Sequence, residues 1–240
     1  MPLSPPDQRL LEQLRRGLRA PDLPGLPAQL KMAPPLRGKY SGPPDDARRA
    51  SVMALLYPID GILHILYIQR TSPANDRHAG QISFPGGSVD PGDIDAVDTA
   101  LRELEEEVGI GRTGIEVLGP LTQLYIPVSN FLVDPFVGYL TSRPELTLQE
   151  TEVARTLELP LADFLAPDAL QIGPRKLANG MTLTEVPYWS VAGEEIWGAT
   201  SMMTAELVAV LERGTFDRPV RQAQGPLSGT AAAGAKEGDQ

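Results

Sequence analysis

Three glutamates, Glu103, Glu106 and Glu107, have the type and spacing to act together on a charged substrate. They fall in segment 96–108, where apolar residues recur with helical periodicity, and on a helix they share a face of about 100°. Carboxylates three and four residues apart repel one another, and the C-terminal end of a helix disfavours anions. The cluster therefore indicates a task that needs concentrated negative charge.

Two readings of this cluster are open at the level of the residues. A helix can carry an acidic face that is merely solvated. A hard divalent cation such as Mg²⁺ instead needs oxygen ligands, commonly a few carboxylates together with substrate phosphates and water. A glycine-rich loop, 80–92, leads into the helix, and Arg102 lies beside Glu106 on the helical wheel, where it can orient the cluster. Both features favour the cation. Glu105 points away from the other three glutamates.

The elements that position the cluster follow from the rest of the pattern. Asp95 is a predicted N-cap and Gly109 a predicted end of the helix over 96–108. A second long helix is expected at about 200–213, and a helical turn at 161–165. Strands are predicted at 50–58, 62–70, 115–126, 131–140, 154–160 and 182–190. Because strands outnumber the helices between them, the fold class is α/β or α+β.

The chain of 240 residues divides into three predicted regions. Residues 1–45 form an N-terminal arm with one helix, capped by Ser4, and a Pro- and Gly-rich stretch at 21–46 that we expect to be mostly irregular. Residues 46–215 form the main predicted domain, which contains the glutamate cluster. Residues 216–240 contain too little apolar surface to offset the entropy of ordering them, so we expect a disordered tail.

Composition excludes several classes of protein. The chain has no cysteine, which rules out disulfides, cysteine-ligated metals and a cysteine nucleophile. Its two histidines, His64 and His78, are too few for a multi-histidine metal site. The net charge of −10 argues against nucleic-acid binding. The sequence shows neither a signal peptide nor a long apolar run, so we expect a cytoplasmic protein without membrane contact.

The segment Arg102–Ile110 reads RELEEEVGI and resembles the core of the box that defines the Nudix hydrolases, G-x5-E-x7-R-E-U-x-E-E-x-G-U. Gly87 matches the opening glycine of that box. Asp93 stands where the box has its first glutamate, and one additional residue separates it from Arg102. The resemblance implies the Nudix fold, a mixed β-sheet sandwiched between helices.

The loop before the box resembles one branch of this family, the coenzyme A diphosphatases. Residues 66–87 read LYIQRTSPANDRHAGQISFPGG, and members of the branch carry a similar strand ending in Arg and a similar Phe-Pro-Gly-Gly. The branch pattern also has Asp-Pro followed by Asp, here Asp90-Pro91 and Asp93. Asn75 stands where the branch has an arginine, and Arg77 is the nearest replacement.

The resemblance also implies roles for individual residues. Glu103, Glu106, Glu107 and the Gly87 carbonyl are implied ligands of Mg²⁺ or Mn²⁺. The general base stays open between a glutamate of the cluster, Glu103 or Glu106, and a later loop glutamate, Glu150 or Glu152. Arg70, Arg77 and His78 are implied to bind substrate phosphates.

Coenzyme A is accordingly the favoured substrate, cleaved to adenosine 3′,5′-bisphosphate and 4′-phosphopantetheine, with acyl esters as further substrates. The same chemistry on ADP-ribose or NADH is one alternative. A Nudix-fold binding module without turnover is another, although such a module has no need of three crowded carboxylates. The sequence leaves a homodimer open.

Overall fold

A computed structural model describes residues 1–35, 42–71, 80–177 and 180–215. Its α-helices are α1 (Pro5–Gly17), α2 (Gly25–Gln29), α3 (Ala96–Val108) and α4 (Gly198–Thr215), with 3-10 turns at Leu30–Met32 and Leu161–Leu165. Its strands are β1 (Arg48–Ile59), β2 (Ile62–Arg70), β3 (Ile82–Ser83), β4 (Gly86–Ser88), β5 (Glu116–Pro120), β6 (Leu124–Ile126), β7 (Phe131–Tyr139), β8 (Val153–Pro160), β9 (Leu170–Lys176), β10 (Thr182–Val191) and β11 (Glu194–Trp197).

A mixed sheet of eight strands forms the centre of the fold. Its main path runs β3-β2-β1-β7-β5, while β4 pairs with β1, β6 with β7 and β8 with β2. Only β1 and β7 run parallel among these pairs, in register from Arg48 opposite Phe131 to Leu56 opposite Tyr139. A second, antiparallel sheet of order β11-β10-β9 lies beside it.

Alternating residues of β1 face two separate cores. Ala54 and Leu56 join the larger core, together with residues of α1 and α4. Met53 and Leu55 join a smaller core together with Leu104 of α3. The central sheet therefore lies between α3 on one face and α1 with α4 on the other, which confirms the expected mixed sheet between helices.

The single strand predicted over 115–126 is wrong, because two strands, β5 and β6, replace it. The break between them has a clear physical cause. The Thr122 N–H and hydroxyl both donate to the Glu206 carboxylate of α4 instead of pairing with a neighbouring strand. A side chain more than eighty residues away thus ends the ladder here.

The sequence also gave no indication of β9 or β11, nor of the short strands β3 and β4 within the loop expected at 80–92, and it indicated no helix within 21–46. β9 contains Gly173 and Pro174, which break the strand pattern, and it is tolerated because it is the edge of the smaller sheet. α2 is a single short helix whose first N–H, at Gly25, is capped by Glu206 rather than by a local side chain.

The described part of the predicted N-terminal arm packs against the domain. Leu11, Leu14, Leu18 and Met32 are all buried in the larger core. Residues 216–240, the predicted tail, lie outside the described residues. Within the described ranges, every helix is too short or too polar to cross a lipid bilayer.

Candidate active site

Helix α3 begins and ends where its sequence predicts. The Asp95 carboxylate caps it by accepting the Asp98 N–H at 2.8 Å, and Gly109 ends it in the left-handed region at φ 74°. Ala100, Leu104 and Val108 are fully buried against the sheet. This packing fixes the rotation of the helix, so that Glu103, Glu106 and Glu107 line one cleft, while Glu105 is exposed elsewhere.

Two consecutive glycines of β4 allow this helix to approach the sheet closely. Gly86 has φ 152°, and a Cβ there would lie 2.3 Å from the Ser51 carbonyl oxygen. A Cβ on Gly87 would lie 2.5 Å from the Glu103 carboxylate. The Gly86 N–H also donates to the Glu107 carboxylate at 2.8 Å. Each glycine therefore meets one carboxylate of α3.

A cleft of about 610 Å³ opens above these glycines. It is walled by α3, by the loop after β4, by the end of β2 and by the loop before β8. Its lining is Arg70, Gly86, Gly87, Ser88, Val89, Asp90, Arg102, Glu103, Glu106, Glu107, Gln149 and Glu152.

Arg102 connects the carboxylates of the cleft. Its guanidinium donates to Glu103 at 3.0 Å, to Glu106 at 3.1 Å and to the Ser88 carbonyl at 2.9 Å. It also binds both carboxylate oxygens of Asp93, at 2.8 and 3.1 Å. This hydrogen bonding from Arg102 holds the pKa of Asp93 well below its ordinary value. Asp93 thus orients Arg102, and Arg102 orients the glutamates.

The additional residue before Arg102 is absorbed by a tight turn. The Asp93 N–H donates to the Asp90 carbonyl at 3.0 Å, and the Asp93 carboxylate accepts the Asp90 N–H and the Thr99 hydroxyl, both at 2.8 Å. Asp93 has a shorter side chain than the glutamate of the family box, and the loop before Arg102 is one residue longer. Together they place a carboxylate within hydrogen-bonding distance of Arg102.

Glu107 is the most unusual titratable group of the cleft. Its side chain is only 3% exposed. Burial raises the pKa of Glu107 to about 8, although the Gly86 N–H and the Arg70 guanidinium, 3.7 Å away, act in the opposite direction. Burial raises the pKa of Glu103 as well, against the lowering effect of Arg102. Burial therefore disfavours the charged form of both carboxylates.

A match to the NUDIX domain family spans residues 47–179, more than half of the chain. The chain belongs to the Nudix family. It is 32% identical over 188 residues to the human mitochondrial coenzyme A diphosphatase NUDT8, covering 78% of this chain and 76% of that protein. It is 37% identical over 193 residues to an uncharacterized Nudix hydrolase, NudL, of Pectobacterium atrosepticum, covering 80% and 92%.

Among solved structures, the NUDIX domain of Shewanella oneidensis NrtR complexed with ADP ribose is similar at 24% identity and a TM-score of 0.41. The similarity covers 53% of this chain and 82% of that one.

The loop that carries Glu152 is hydrogen-bonded to the C-terminal end of α3. The Thr147 N–H donates to the Val108 carbonyl and the Gln149 N–H to the Glu107 carbonyl, each at 2.9 Å. These bonds satisfy carbonyls that have no partner within the helix. Glu152 consequently lines the cleft, and its charge contributes to raising the pKa of both Glu103 and Glu107. Glu150 is exposed outside that lining.

The predicted substrate-binding residues divide into two groups. Arg70, at the end of β2, lines the cleft beside Glu107. Arg77 and His78, like Asn75, lie outside the described residues. Gln149 lines the cleft without having been predicted, and its only signal in the sequence is its position next to the loop glutamates.

Nudix hydrolases generally use divalent metal ions, and the oxygen donors of this cleft suit such an ion. Gly87 lines this cleft, and its missing Cβ leaves room for the Glu103 carboxylate. Within the described ranges, no three acidic or histidine side chains converge tightly enough to form a ready-made ion site. Arg102 instead holds Glu103 and Glu106, so a cation would draw them from an existing ion pair.

Proposed function

We propose that this Nudix hydrolase cleaves the diphosphate of coenzyme A, and of its acyl esters, to adenosine 3′,5′-bisphosphate and 4′-phosphopantetheine. One observation carries the choice of substrate: the extended similarity to a protein named as a coenzyme A diphosphatase. The resemblance of loop 66–87 to the same branch lies within that similarity and supports it locally.

In this proposal Glu103, Glu106, Glu107 and the Gly87 carbonyl hold Mg²⁺ or Mn²⁺. Such a cation supplies charge neutralisation for the diphosphate as charge develops on the leaving phosphate. Glu103 and Glu107 gain most from this arrangement, because burial otherwise disfavours the charged forms of their carboxylates. Arg102 and Asp93 keep the helix side chains oriented toward it.

Glu152 is the proposed proton acceptor. A water molecule attacks one phosphorus of the P–O–P bridge, the bridging P–O bond breaks, and the proton of the water passes to the Glu152 carboxylate. Glu152 fits this role better than Glu150 because it lines the cleft and Glu150 does not. Its backbone is held by the Thr71 N–H, just after β2, which donates to the Glu152 carbonyl at 2.8 Å. Glu106 is the alternative, as its side chain is 59% exposed.

Arg70 is proposed to bind a substrate phosphate, with Arg77 and His78 completing that part of the site. A guanidinium binds phosphate oxygens in a bidentate geometry that a lysine cannot reproduce. The Arg70 guanidinium lines the same cleft as Glu107, 3.7 Å from its carboxylate, so a phosphate held beside Glu107 would lie within reach of Arg70.

A substrate panel tests the proposal. Coenzyme A, dephospho-coenzyme A, ADP-ribose and NADH are incubated with the full chain and Mg²⁺ or Mn²⁺, and the products are identified by mass. We expect the highest kcat/KM for coenzyme A. Its 3′-phosphate should favour it over dephospho-coenzyme A by about 10–150-fold, the value of one hydrogen bond to a charged partner.

The other outcomes are equally informative. Equal kcat/KM for coenzyme A and dephospho-coenzyme A would show that the enzyme does not recognise the 3′-phosphate. Preference for ADP-ribose or NADH would replace the substrate but keep the reaction, and no turnover of any of them would favour a binding module. If Arg77 replaces the arginine absent at Asn75, Arg77→Ala should reduce the ratio of kcat/KM for coenzyme A to kcat/KM for dephospho-coenzyme A.

A further inference from the structure

Ser51 of β1 carries a hydroxyl whose hydrogen bonding is unfulfilled. The residue is fully buried, and its Oγ has no hydrogen-bond partner within the described part of the chain. Leaving a buried hydroxyl unpaired costs stability, and most buried polar groups in native proteins are paired. An unpaired Oγ at this depth therefore points to a functional partner close to Ser51.

The register of the sheet places Ser51 in one row with two positions of the site. It lies opposite Gly87 of β4 and beside Asp134 of β7. Residues opposite one another in a ladder point to the same face. That face carries Met53 and Leu55, which pack against α3. The Ser51 hydroxyl is therefore directed toward the helix that bears the carboxylates.

Because Gly87 has no side chain, the Glu103 carboxylate can lie in the same row as Ser51. A Cβ at Gly87 would lie 2.5 Å from Oε2 of Glu103, so that carboxylate occupies the side-chain space next to Ser51. The Cβ positions of directly opposed residues are about 4.5–5.5 Å apart, a separation that a hydroxyl can bridge to an adjacent carboxylate.

The other neighbour in the row is already engaged. One oxygen of the Asp134 carboxylate accepts from Arg49 and the other from the side-chain amide of Gln123, both at 2.6 Å. Among the described residues, Glu103 accepts a single guanidinium N–H, from Arg102, through Oε1. Of the two carboxylates beside Ser51, Glu103 is thus the one with fewer donors.

We propose that Ser51 is a positioning residue for Glu103, and that its hydroxyl donates to the Glu103 carboxylate when that carboxylate holds the divalent cation. The inference rests on the proposed function only in taking Glu103 as a ligand. If a bound cation weakened the ion pair between Glu103 and Arg102, the Ser51 hydroxyl would supply a second donor that fixes the orientation of the Glu103 carboxylate. Removing such a donor behind a metal ligand typically weakens metal affinity by 10–100-fold.

Binding of Mn²⁺ alone, without substrate, is the direct test. Free Mn²⁺ is followed by electron paramagnetic resonance during titration of the full chain. Ser51→Ala should raise the Kd for Mn²⁺ about tenfold or more, while the melting temperature in EDTA holds or rises, because an unpaired hydroxyl is removed. Ser51→Cys, which keeps the volume but donates weakly, should shift the Kd in the same direction.

Ser201→Ala is the matched control. Ser201 is another fully buried serine, in α4, but its hydroxyl donates to the Gly198 carbonyl at 2.8 Å. Its removal should lower the melting temperature and leave the Kd for Mn²⁺ unchanged. The two serines are thus expected to show opposite patterns of metal affinity and stability.

A double-mutant cycle with Glu103→Gln decides whether Ser51 acts through Glu103. With Mn²⁺ titrated to millimolar concentrations, the double variant Ser51→Ala/Glu103→Gln should bind Mn²⁺ no more weakly than Glu103→Gln alone. An unchanged Kd in Ser51→Ala, or a loss of the same size in both backgrounds, would overturn the inference. Failure of the chain to cleave coenzyme A would remove the proposed substrate and leave this result standing, whereas absence of Mn²⁺ binding by the wild type would overturn both.

Discussion

Two buried glutamates on opposite faces of the sheet differ sharply in how their charge is satisfied. Glu206 of α4 is fully buried and accepts from the Gly25 N–H, the Gln29 side-chain amide and both the N–H and hydroxyl of Thr122. Glu107 of α3 is nearly as buried, but among the described residues its carboxylate accepts one N–H, from Gly86, with the Arg70 guanidinium 3.7 Å away. A carboxylate supplied with donors holds a fold together, whereas one left short of them is suited to binding a cation.

The largest expected effect is on turnover. Glu107→Gln keeps the size of the side chain and removes its charge, so we expect kcat for the hydrolysed diphosphate to fall about a hundredfold or more, equivalent to ~2.7 kcal/mol. Steady-state kinetics at saturating Mg²⁺ measures this. A rate within a few-fold of the wild type would remove Glu107 from the ligand set.

Glu206→Gln should show the reverse pattern. The new amide would direct an N–H group at donors that now bond a carboxylate oxygen of Glu206. We therefore expect the unfolding free energy to fall by about 2–4 kcal/mol and the melting temperature to fall by roughly 4–16 °C. Thermal denaturation checks the stability, and kcat per folded molecule should remain that of the wild type. A folded variant with a large fall in kcat would show that α4 takes part in the reaction.

A smaller effect concerns the pH dependence of stability without metal. The pKa of Glu107 is raised from 4.5 to about 8 by burial, so the folded state keeps a proton that the unfolded state loses. Stability from this group is present below pH 4.5 and is lost as the pH rises toward 8. In EDTA, the melting temperature of Glu107→Gln should therefore exceed that of the wild type by more at pH 8 than at pH 5. A constant difference between these pH values would contradict the raised pKa.

The smallest effect is expected at Glu105, which belongs to the same acidic run but is exposed outside the cleft. Glu105→Gln should leave kcat and the metal dependence within about twofold of the wild type, since surface substitutions away from special contacts have small effects. It is the matched control for Glu107→Gln, and a comparable loss of rate in both would mean that net charge, rather than position on the helix, governs activity.

The parts of this contrast that depend on local sequence could be predicted. The apolar period, the Asp95 cap and Gly109 fix both the limits and the rotation of α3, and its carboxylates follow from that rotation. The partners of Glu206 could not be predicted, because Gly25 and Thr122 lie 181 and 84 residues away from it.

The same limit applies within the cleft. The sequence shows Asp93 and the additional residue only as departures from the family box. The ion pair between Arg102 and Asp93 becomes clear from the turn at Asp90, which the sequence does not predict. The placement of Ser51 beside Glu103 depends on the pairing of β1 with β4, and nothing in the neighbouring sequence indicates it.

Direct Mn²⁺ binding by the wild type, Glu107→Gln and Glu206→Gln, measured without substrate, tests the central claim that unsatisfied carboxylates of α3 hold the cation. We predict that Glu107→Gln raises the Kd for Mn²⁺ at least tenfold, whereas folded Glu206→Gln binds Mn²⁺ as the wild type does. Wild-type affinity in Glu107→Gln, or an equal loss in both variants, would contradict the claim.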